Sequence, residues 1–256
     1  STDTHVGGGS DREDAYFAKA GLIDGTPERR GSIPAGRLLG LALSTVAPDL
    51  VNEVDDTTYL EFSSFEFWGA SGLAAVWADE NTREAIYGAF RRKETFATSG
   101  PRISLRFFAG YDFDAALLDA PDGVARAYAE GVTMGSDLAA DGNRAPRFWV
   151  WALADPMAAP LQRVQVIKGW EDGGKSHEKV FDVACTGGLE VDPATHRCPD
   201  SGAPVNLADC SFDPNAGAMQ LRTLWQDPEF QAGREAFYYV RALENPTCRW
   251  STWDAL

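Results

Sequence analysis

The pattern with the clearest chemical meaning is Asp3-Thr4-His5, near the start of the sequence. In an extended segment, side chains two positions apart project from the same face, so Asp3 and His5 can reach one metal ion. A carboxylate oxygen and an imidazole nitrogen suit Zn²⁺, Mn²⁺ or Fe²⁺. Such a triplet also occurs by chance without a metal, and an Asp at the end of a strand often caps a turn instead.

A second candidate for chemistry is the segment Thr98-Ser99-Gly100-Pro101-Arg102. Its hydroxyls and the Arg102 guanidinium, at the entrance of a predicted strand, could hold an anionic oxygen. The alternative is a turn with a surface arginine, and residue chemistry alone does not choose between them. His177 and His196 lack the spacing of metal ligands, and we predict that both are solvated.

The remaining motifs are less specific. The sequence contains no G-x-S-x-G, H-E-x-x-H, P-loop or Rossmann fingerprint. The run Gly7-Gly8-Gly9-Ser10 is typical of a flexible loop. For the acidic cluster Asp11, Glu13 and Asp14 there are three interpretations: it binds metal, it orders the lid loop, or it is a solvated charge run.

The N-terminal elements that would position these residues are loop-rich. Residues 6–36 are rich in glycine, charged residues and turn formers, which predicts a long loop with one short helix over 13–20. Such long loops are often active-site lids. A second short helix is predicted over 37–47. The clearest helix begins at a capping box formed by Asn81 and Glu84 and ends in a run of basic residues at 91–93.

The C-terminal half is rich in predicted strands. Alternating and β-branched residues predict strands over 95–98, 103–108, 147–153, 163–170, 177–184 and 236–243. Asp172-Gly173-Gly174-Lys175 has the composition of a hairpin turn. Most of the eight tryptophans lie in this half, where they are expected in the core and at a domain interface rather than on a sugar-binding platform.

Composition limits the partners. The chain has 256 residues and a formal net charge of −15, which argues against nucleic acid or an anionic membrane surface as the main partner. A small anionic substrate stays possible, because a bound metal ion reverses the local charge. No apolar run reaches the roughly 18 residues that a membrane-spanning helix requires.

The four cysteines are Cys185, Cys198, Cys210 and Cys248. None forms a C-x-x-C motif, and their position in loop-rich sequence predicts two disulfides, with three pairings possible. Disulfides indicate a periplasmic or secreted protein. The alternative is a set of four thiols in a cytosolic protein.

Several segments together resemble a known family. The opening STDTH resembles the last metal-binding motif of the polymerase and histidinol phosphatase (PHP) superfamily. The segments GLAAVWA (72–78), NTREA (81–85), RKETFATSGPR (92–102) and ENPTCRWST (244–252) resemble one PHP-related bacterial family, domain of unknown function 3604. The resemblance covers nearly the whole chain.

This resemblance implies a distorted α/β barrel that binds two or three divalent metal ions. It implies metal-activated water and hydrolysis of a small-molecule ester, by default a phosphoester, whereas related enzymes hydrolyse carbamates or other esters. Asp3 and His5 match the metal motif, and Arg102 matches a family position that we take as a catalytic candidate. Full-length members are longer, and their N-terminal half carries an H-x-H motif and other ligands.

We therefore expect an α/β fold in two parts. Residues 1–110 would form the terminal part of a PHP-type barrel with its lid loop, and residues 111–256 an antiparallel β-sandwich-like region. Because the chain opens at Ser1 without a Met and its first five residues look like the end of a functional strand, we expect the C-terminal part of a longer polypeptide; the alternative is an intact processed chain with a flexible N-terminus.

A different class of function stays open. The strand-rich region could be a binding module that recognises a polymer or a partner protein through exposed Trp and Tyr side chains. Asp3 and His5 would then be incidental. A metal-binding scaffold without activity is a third possibility, and the sequence does not indicate the oligomeric state.

Overall fold

A computed structural model of the chain describes residues 11–16, 25–60 and 69–256. The fold is mixed α/β, and in this part every pair of neighbouring strands is antiparallel. The helices α1 to α5 are Pro27–Arg30, Arg37–Val46, Arg83–Arg92, Gly123–Glu130 and Trp250–Ala255. None of these helices is long and apolar enough to span a membrane.

Thirteen strands are found in the described part of the chain. Strands β1 to β13 are Val51–Val54, Thr57–Leu60, Leu73–Val76, Thr95–Thr98, Ser104–Gly110, Val132–Thr133, Arg147–Leu153, Leu161–Asp172, Lys175–Cys185, Val205–Asn206, Ser211–Phe212, Gln220–Gln226 and Ala236–Glu244. The two larger sheets have the orders β12-β7-β5-β6 and β13-β8-β9, and the pairs β1-β2, β3-β4 and β10-β11 form two-stranded sheets. No sheet among these residues closes into a barrel, so the PHP-type barrel remains a prediction.

The two larger sheets share an apolar core. Val150 of β7, Val166 of β8 and Phe181 of β9 are fully or almost fully buried in it, and residues of β12 and β13 pack around them. A second buried cluster covers the other face of β7, where Trp149 contacts Phe108 and the region of α4. The packing of one sheet on the other is typical of a β-sandwich.

Most elements expected from the sequence are present. The helix over 37–47 and all six predicted strands are confirmed, with ends shifted by a few residues. Gly173 and Gly174 both have positive φ, as a tight turn between paired strands requires. The expectations did not include α4, α5, β12 or the β1-β2 hairpin.

The predicted capping box of α3 is wrong. Thr82, not Asn81, is the N-cap residue, and its hydroxyl accepts a hydrogen bond from the Ala85 backbone N–H at 3.3 Å. The basic residues Arg91 and Arg92 do lie in the last turn. The helix predicted over 13–20 is also not found in its described residues, because residues 13–15 form a bend and a turn and residue 16 is irregular. Its remaining residues lie outside the described part.

Strand β5 joins the two halves of the sequence. It lies inside the four-stranded sheet and pairs with β7 along its whole length and with β6 at its C-terminal end. The strand-rich region therefore includes residues from Ser104 onward, while the division into domains at residue 110 stays a prediction.

All four cysteines form disulfides, as expected, and the pairing that the sequence left open is now fixed. Cys185 pairs with Cys198, and Cys210 pairs with Cys248. Two disulfides suggest an extracellular or otherwise oxidising environment.

Candidate functional site

The predicted metal ligands Asp3 and His5 lie outside the described residues, as does the glycine run at 7–10. The nearest described segment is 11–16, which begins six residues after His5. In the described part of the chain, no group of three or more His, Cys, Asp or Glu side chains could hold a metal ion. The site is therefore described from the residues that contact segment 11–16.

Arg102 lies directly beside this segment. Its side chain is 69% exposed, and one guanidinium nitrogen is 3.7 Å from an Asp11 carboxylate oxygen. At this distance and exposure the ion pair is weak, because water screens it. The guanidinium thus keeps donors in solvent close to the chain that follows the Asp3-His5 motif.

The backbone of Arg102, in contrast, is firmly held. Its N–H donates to Asp155 Oδ2 at 2.7 Å, and the other Asp155 oxygen accepts from Met157 N at 2.9 Å. Asp155 is buried, and both of its oxygens are used to fix loops at the ends of β7 and β5. Asp155 therefore fixes the loop through the backbone of Arg102, while the Arg102 side chain stays accessible to solvent.

Gly100 lets segment 11–16 approach this loop. Its φ is +138°, a region that residues with side chains rarely adopt. A Cβ atom at this position would lie 2.3 Å from the Asp11 carbonyl oxygen. The entrance to β5 is thus a close backbone contact that only glycine permits.

Glu13 connects segment 11–16 to two distant parts of the chain. One carboxylate oxygen accepts from Ala70 N at 3.3 Å, and the other accepts from the backbone N–H of Trp250. Of the predicted acidic cluster, Asp11 and Glu13 are half-buried, whereas Asp14 is exposed and pairs with Arg12. The interpretation as a uniformly solvated charge run is therefore wrong for Glu13, which has a structural role.

Aromatic and ionic contacts complete this connection. The Tyr16 ring stacks on Trp250 with centroids 4.5 Å apart and planes 18° apart. The Arg30 guanidinium lies 5.7 Å from the Trp250 ring centre and pairs with Asp254 at 2.8 Å, and both side chains of that pair are largely buried. We call Glu13, Tyr16, Arg30, Trp250 and Asp254 the terminal clamp, because it joins residues from both ends of the sequence.

A buried carboxyl group lies near the Arg102 anchor. Burial, with a smaller contribution from the charge of Asp155, raises the pKa of Glu244 to about 7. One carboxyl oxygen of Glu244 is sealed from solvent and has no hydrogen-bond partner among the described residues. Glu244 therefore keeps its proton to a higher pH than an ordinary glutamate does.

The two other histidines are not brought to this region. His177 is exposed and stacks on Trp170 at 5.3 Å, while His196 is half-buried against Phe181 at 5.0 Å. The prediction of a solvated residue is confirmed for His177 and too simple for His196. Sequence reasoning missed the clamp, although Trp250 lies within the ENPTCRWST segment.

These features define a class: a mixed α/β protein with antiparallel sheets and two disulfides, in which the chain after a D-x-H motif is fixed beside an exposed arginine. The chain belongs to the family described as protein of unknown function (DUF3604), which matches residues 1–256. No curated protein and no solved structure matches it.

Proposed function

We propose that the chain contributes to a metal-dependent hydrolase, with phosphoester hydrolysis of a small molecule as its chemistry. The observation that carries the proposal is the position of Arg102. Its exposed guanidinium lies against segment 11–16, which begins six residues after His5 in the sequence, so an anion-binding group stands beside the part of the chain that follows the D-x-H motif. The match to the DUF3604 family includes the opening STDTH segment, whose resemblance to a PHP metal motif is the reason for proposing a metal-dependent reaction.

The donor set fits a divalent metal ion. Asp3 supplies a carboxylate oxygen and His5 an imidazole nitrogen, and both are common ligands of Zn²⁺, Mn²⁺ and Fe²⁺. These two fall short of the roughly four to six ligands that such ions take, so a complete site of two or three ions needs further groups. When bound, such ions supply Lewis-acid chemistry and lower the pKa of water.

Arg102 would bind and orient the anionic oxygen of the substrate. A guanidinium presents paired N–H donors that match two oxygens of a phosphate, which a lysine cannot reproduce. Asp155 fixes the Arg102 backbone and the terminal clamp fixes segment 11–16, so these two parts of the chain are positioned before substrate arrives. Such positioning lowers the entropic cost of reaction.

The test uses the natural protein that contains this chain. Metal content and hydrolysis of p-nitrophenyl phosphate are measured for the unaltered protein and for Asp3→Ala/His5→Ala, with the exposed residue change His177→Ala as control. We expect the double variant to lose metal and activity while the control keeps both. Equal metal content and activity in all three proteins would reject the proposal. Carboxylic ester and carbamate substrates, assayed in parallel, distinguish the type of ester.

Arg102 has its own test. Arg102→Gln should raise KM for an anionic ester more than it lowers kcat, and Arg102→Lys should recover only part of the loss, because it keeps the charge but not the paired donors. Arg91→Gln, on the exposed surface of α3, is the control. An unchanged KM in Arg102→Gln would remove Arg102 from the site.

A binding module is the second candidate function. It is favoured by one specific observation, a pair of exposed and nearly parallel aromatic rings on a sheet face, Phe237 and Tyr239.

A further inference from the structure

The outer face of the sheet β13-β8-β9 carries the exposed rings. Along β13, Tyr238, Val240 and Ala242 pack against the buried core. Because side chains alternate along a strand, Phe237, Tyr239 and Arg241 project from the opposite face. This face is turned away from the other large sheet.

The two rings form a flat surface. Phe237 is 62% exposed and Tyr239 is 44% exposed. Their centroids are 6.3 Å apart and their planes differ by 15°. Large exposed aromatic side chains next to each other are unusual on a soluble protein and often mark a binding surface.

Neighbouring residues hold the rings against the sheet. A Cβ atom at Gly169 would lie 2.2 Å from the tip of the Phe237 ring, so the ring lies across the backbone of β8 where no side chain stands. The Tyr239 hydroxyl donates to a Glu178 carboxylate oxygen on β9 at 3.4 Å. Both rings therefore reach from β13 across the sheet and present a flat surface to solvent. We call Phe237 and Tyr239 on this sheet face the aromatic platform.

Arginines continue the same face beyond the aromatic platform. Arg241 donates from Nε to Gln165 at 2.9 Å, and Gln165 donates to Asp182 at 2.7 Å. Arg163 and Arg197 approach the two oxygens of Asp182 at 3.0 and 3.5 Å. The Asp182 side chain is completely buried beneath them, so at this end of the face the guanidinium groups, and not the carboxylate, are exposed to solvent.

The charge of this face is uneven along the strands. At the end that carries Arg163, Arg197 and Arg241, the carboxylate that the arginines surround is the buried Asp182, which gives 3 − 1 = +2 at this end. Glu171 and Glu178 lie towards the other end of the same face, and the whole chain carries −15. Arg241 is bonded to a neutral glutamine, and Arg197 is 48% exposed. The face is thus complementary to a ligand that has both flat apolar surfaces and negative charges.

We propose that the aromatic platform and its arginines bind an acidic polysaccharide. The C–H face of a pyranose ring stacks on the electron-rich faces of Phe237 and Tyr239, while uronate carboxylates pair with Arg241 and Arg197. A second copy of the chain is a poorer occupant, because it brings another fifteen net negative charges to the surface. This inference is independent of the hydrolase proposal.

The test measures binding to polygalacturonate and to alginate, with dextran as the neutral comparison, by affinity electrophoresis at low ionic strength. We expect retardation by the acidic polymers alone. Phe237→Ala/Tyr239→Ala and, separately, Arg197→Gln should each weaken binding about tenfold or more, a loss of about 1.4 kcal/mol. Tyr87→Ala/Phe90→Ala, which removes an equally exposed aromatic pair from α3, is the matched control and should bind normally.

Three results would overturn the proposal. The first is the absence of retardation by either acidic polymer. The second is equal binding of dextran, which would make the negative charge irrelevant. The third is a concentration-dependent dimer, seen by light scattering, that disappears in Phe237→Ala/Tyr239→Ala but not in the control, since this would identify a second copy as the occupant. Circular dichroism of each variant verifies that it is folded.

Discussion

The Tyr16 ring lies flat against the indole of Trp250, with ring centroids 4.5 Å apart, although the two residues come from opposite ends of the sequence. Trp250 is 1% exposed and is among the largest fully buried side chains. The stacked pair therefore fixes the segment that follows Asp3 and His5 to the C-terminal helix α5.

Trp250→Ala should be strongly destabilising. Truncation of a buried Trp leaves a cavity and costs about 3–5 kcal/mol. It also removes the partner of Tyr16, so segment 11–16 should become sensitive to proteases before the rest of the chain does. Urea unfolding and limited proteolysis measure the two effects. Tyr87→Ala, which truncates an exposed ring, should change neither, and a Trp250→Ala protein as stable as the control would contradict the role of the clamp.

The buried ion pair between Arg30 and Asp254 should show strong coupling. Removing one side chain of the pair leaves the other largely buried and without this ionic contact, which costs about 3–5 kcal/mol. The double variant Arg30→Met/Asp254→Leu should be less destabilised than the two single variants predict together. The exposed pair Arg144–Asp141 serves as control and should show coupling below about 1 kcal/mol. If the loss of unfolding free energy in the double variant equals the sum of the losses in the two single variants, Arg30 and Asp254 are not coupled.

Gly100→Ala should displace segment 11–16. The new methyl group would overlap the Asp11 carbonyl oxygen, and the φ of +138° strains any residue with a side chain. We expect faster proteolysis at this segment and lower stability. Gly36→Ala, which meets nothing within 4 Å, should be close to neutral. If Gly100→Ala behaves like Gly36→Ala, the close backbone contact is not present.

Glu244 should make stability depend on pH. Its pKa is raised from 4.5 to about 7, so the folded state binds the proton more tightly than the unfolded state. The stabilisation is complete below about pH 4.5 and is lost as the pH rises to about 7, because the folded protein must then ionise a buried group. Relative to the unaltered protein, Glu244→Gln should therefore gain stability between pH 4.5 and 8. Urea unfolding at pH 4.5 and at pH 8 measures this gain in stability. Glu84→Gln, on the exposed surface of α3, should show no gain that depends on pH.

The two disulfides should differ in their contribution to stability. Cys185 and Cys198 are 13 residues apart, whereas Cys210 and Cys248 are 38 apart. Loop-closure entropy predicts that their removal costs about 3 and about 4 kcal/mol respectively. Paired serine variants, compared by guanidinium unfolding, test this order. The Cys210→Ser/Cys248→Ser variant should also make segment 11–16 more sensitive to proteases, because Cys248 lies only two residues before the clamp residue Trp250. A Cys185→Ser/Cys198→Ser variant with the same effect on that segment would show that the link is not specific.

Local patterns predicted much of the fold. Strands β7, β8, β9 and β13 follow from alternation and β-branched residues, and the Asp172-Gly173-Gly174-Lys175 turn follows from its glycines. Strand β12 was missed because its residues, QLRTLWQ, mix polar and apolar side chains on both faces. The error at α3 is a choice between adjacent cap residues, Asn81 and Thr82, which sequence preference ranks almost equally.

Contacts between distant residues could not be predicted in the same way. The terminal clamp depends on Tyr16 and Trp250 meeting in space, and neither residue carries a local signal of that contact. The cysteine pairing was limited to three possibilities because spacing does not specify connectivity. The candidate site was predicted only through Asp3, His5 and Arg102. Of these, the structure describes Arg102 and its contacts.

The contact between Tyr16 and Trp250 has a consequence for the order of folding. Segment 11–16 is synthesised more than two hundred residues before its stacking partner Trp250. The segment therefore cannot dock on Trp250 until that later part of the chain has been made. This contact consequently forms only after all the strands of the two larger sheets, which lie between the two residues in sequence, have been synthesised.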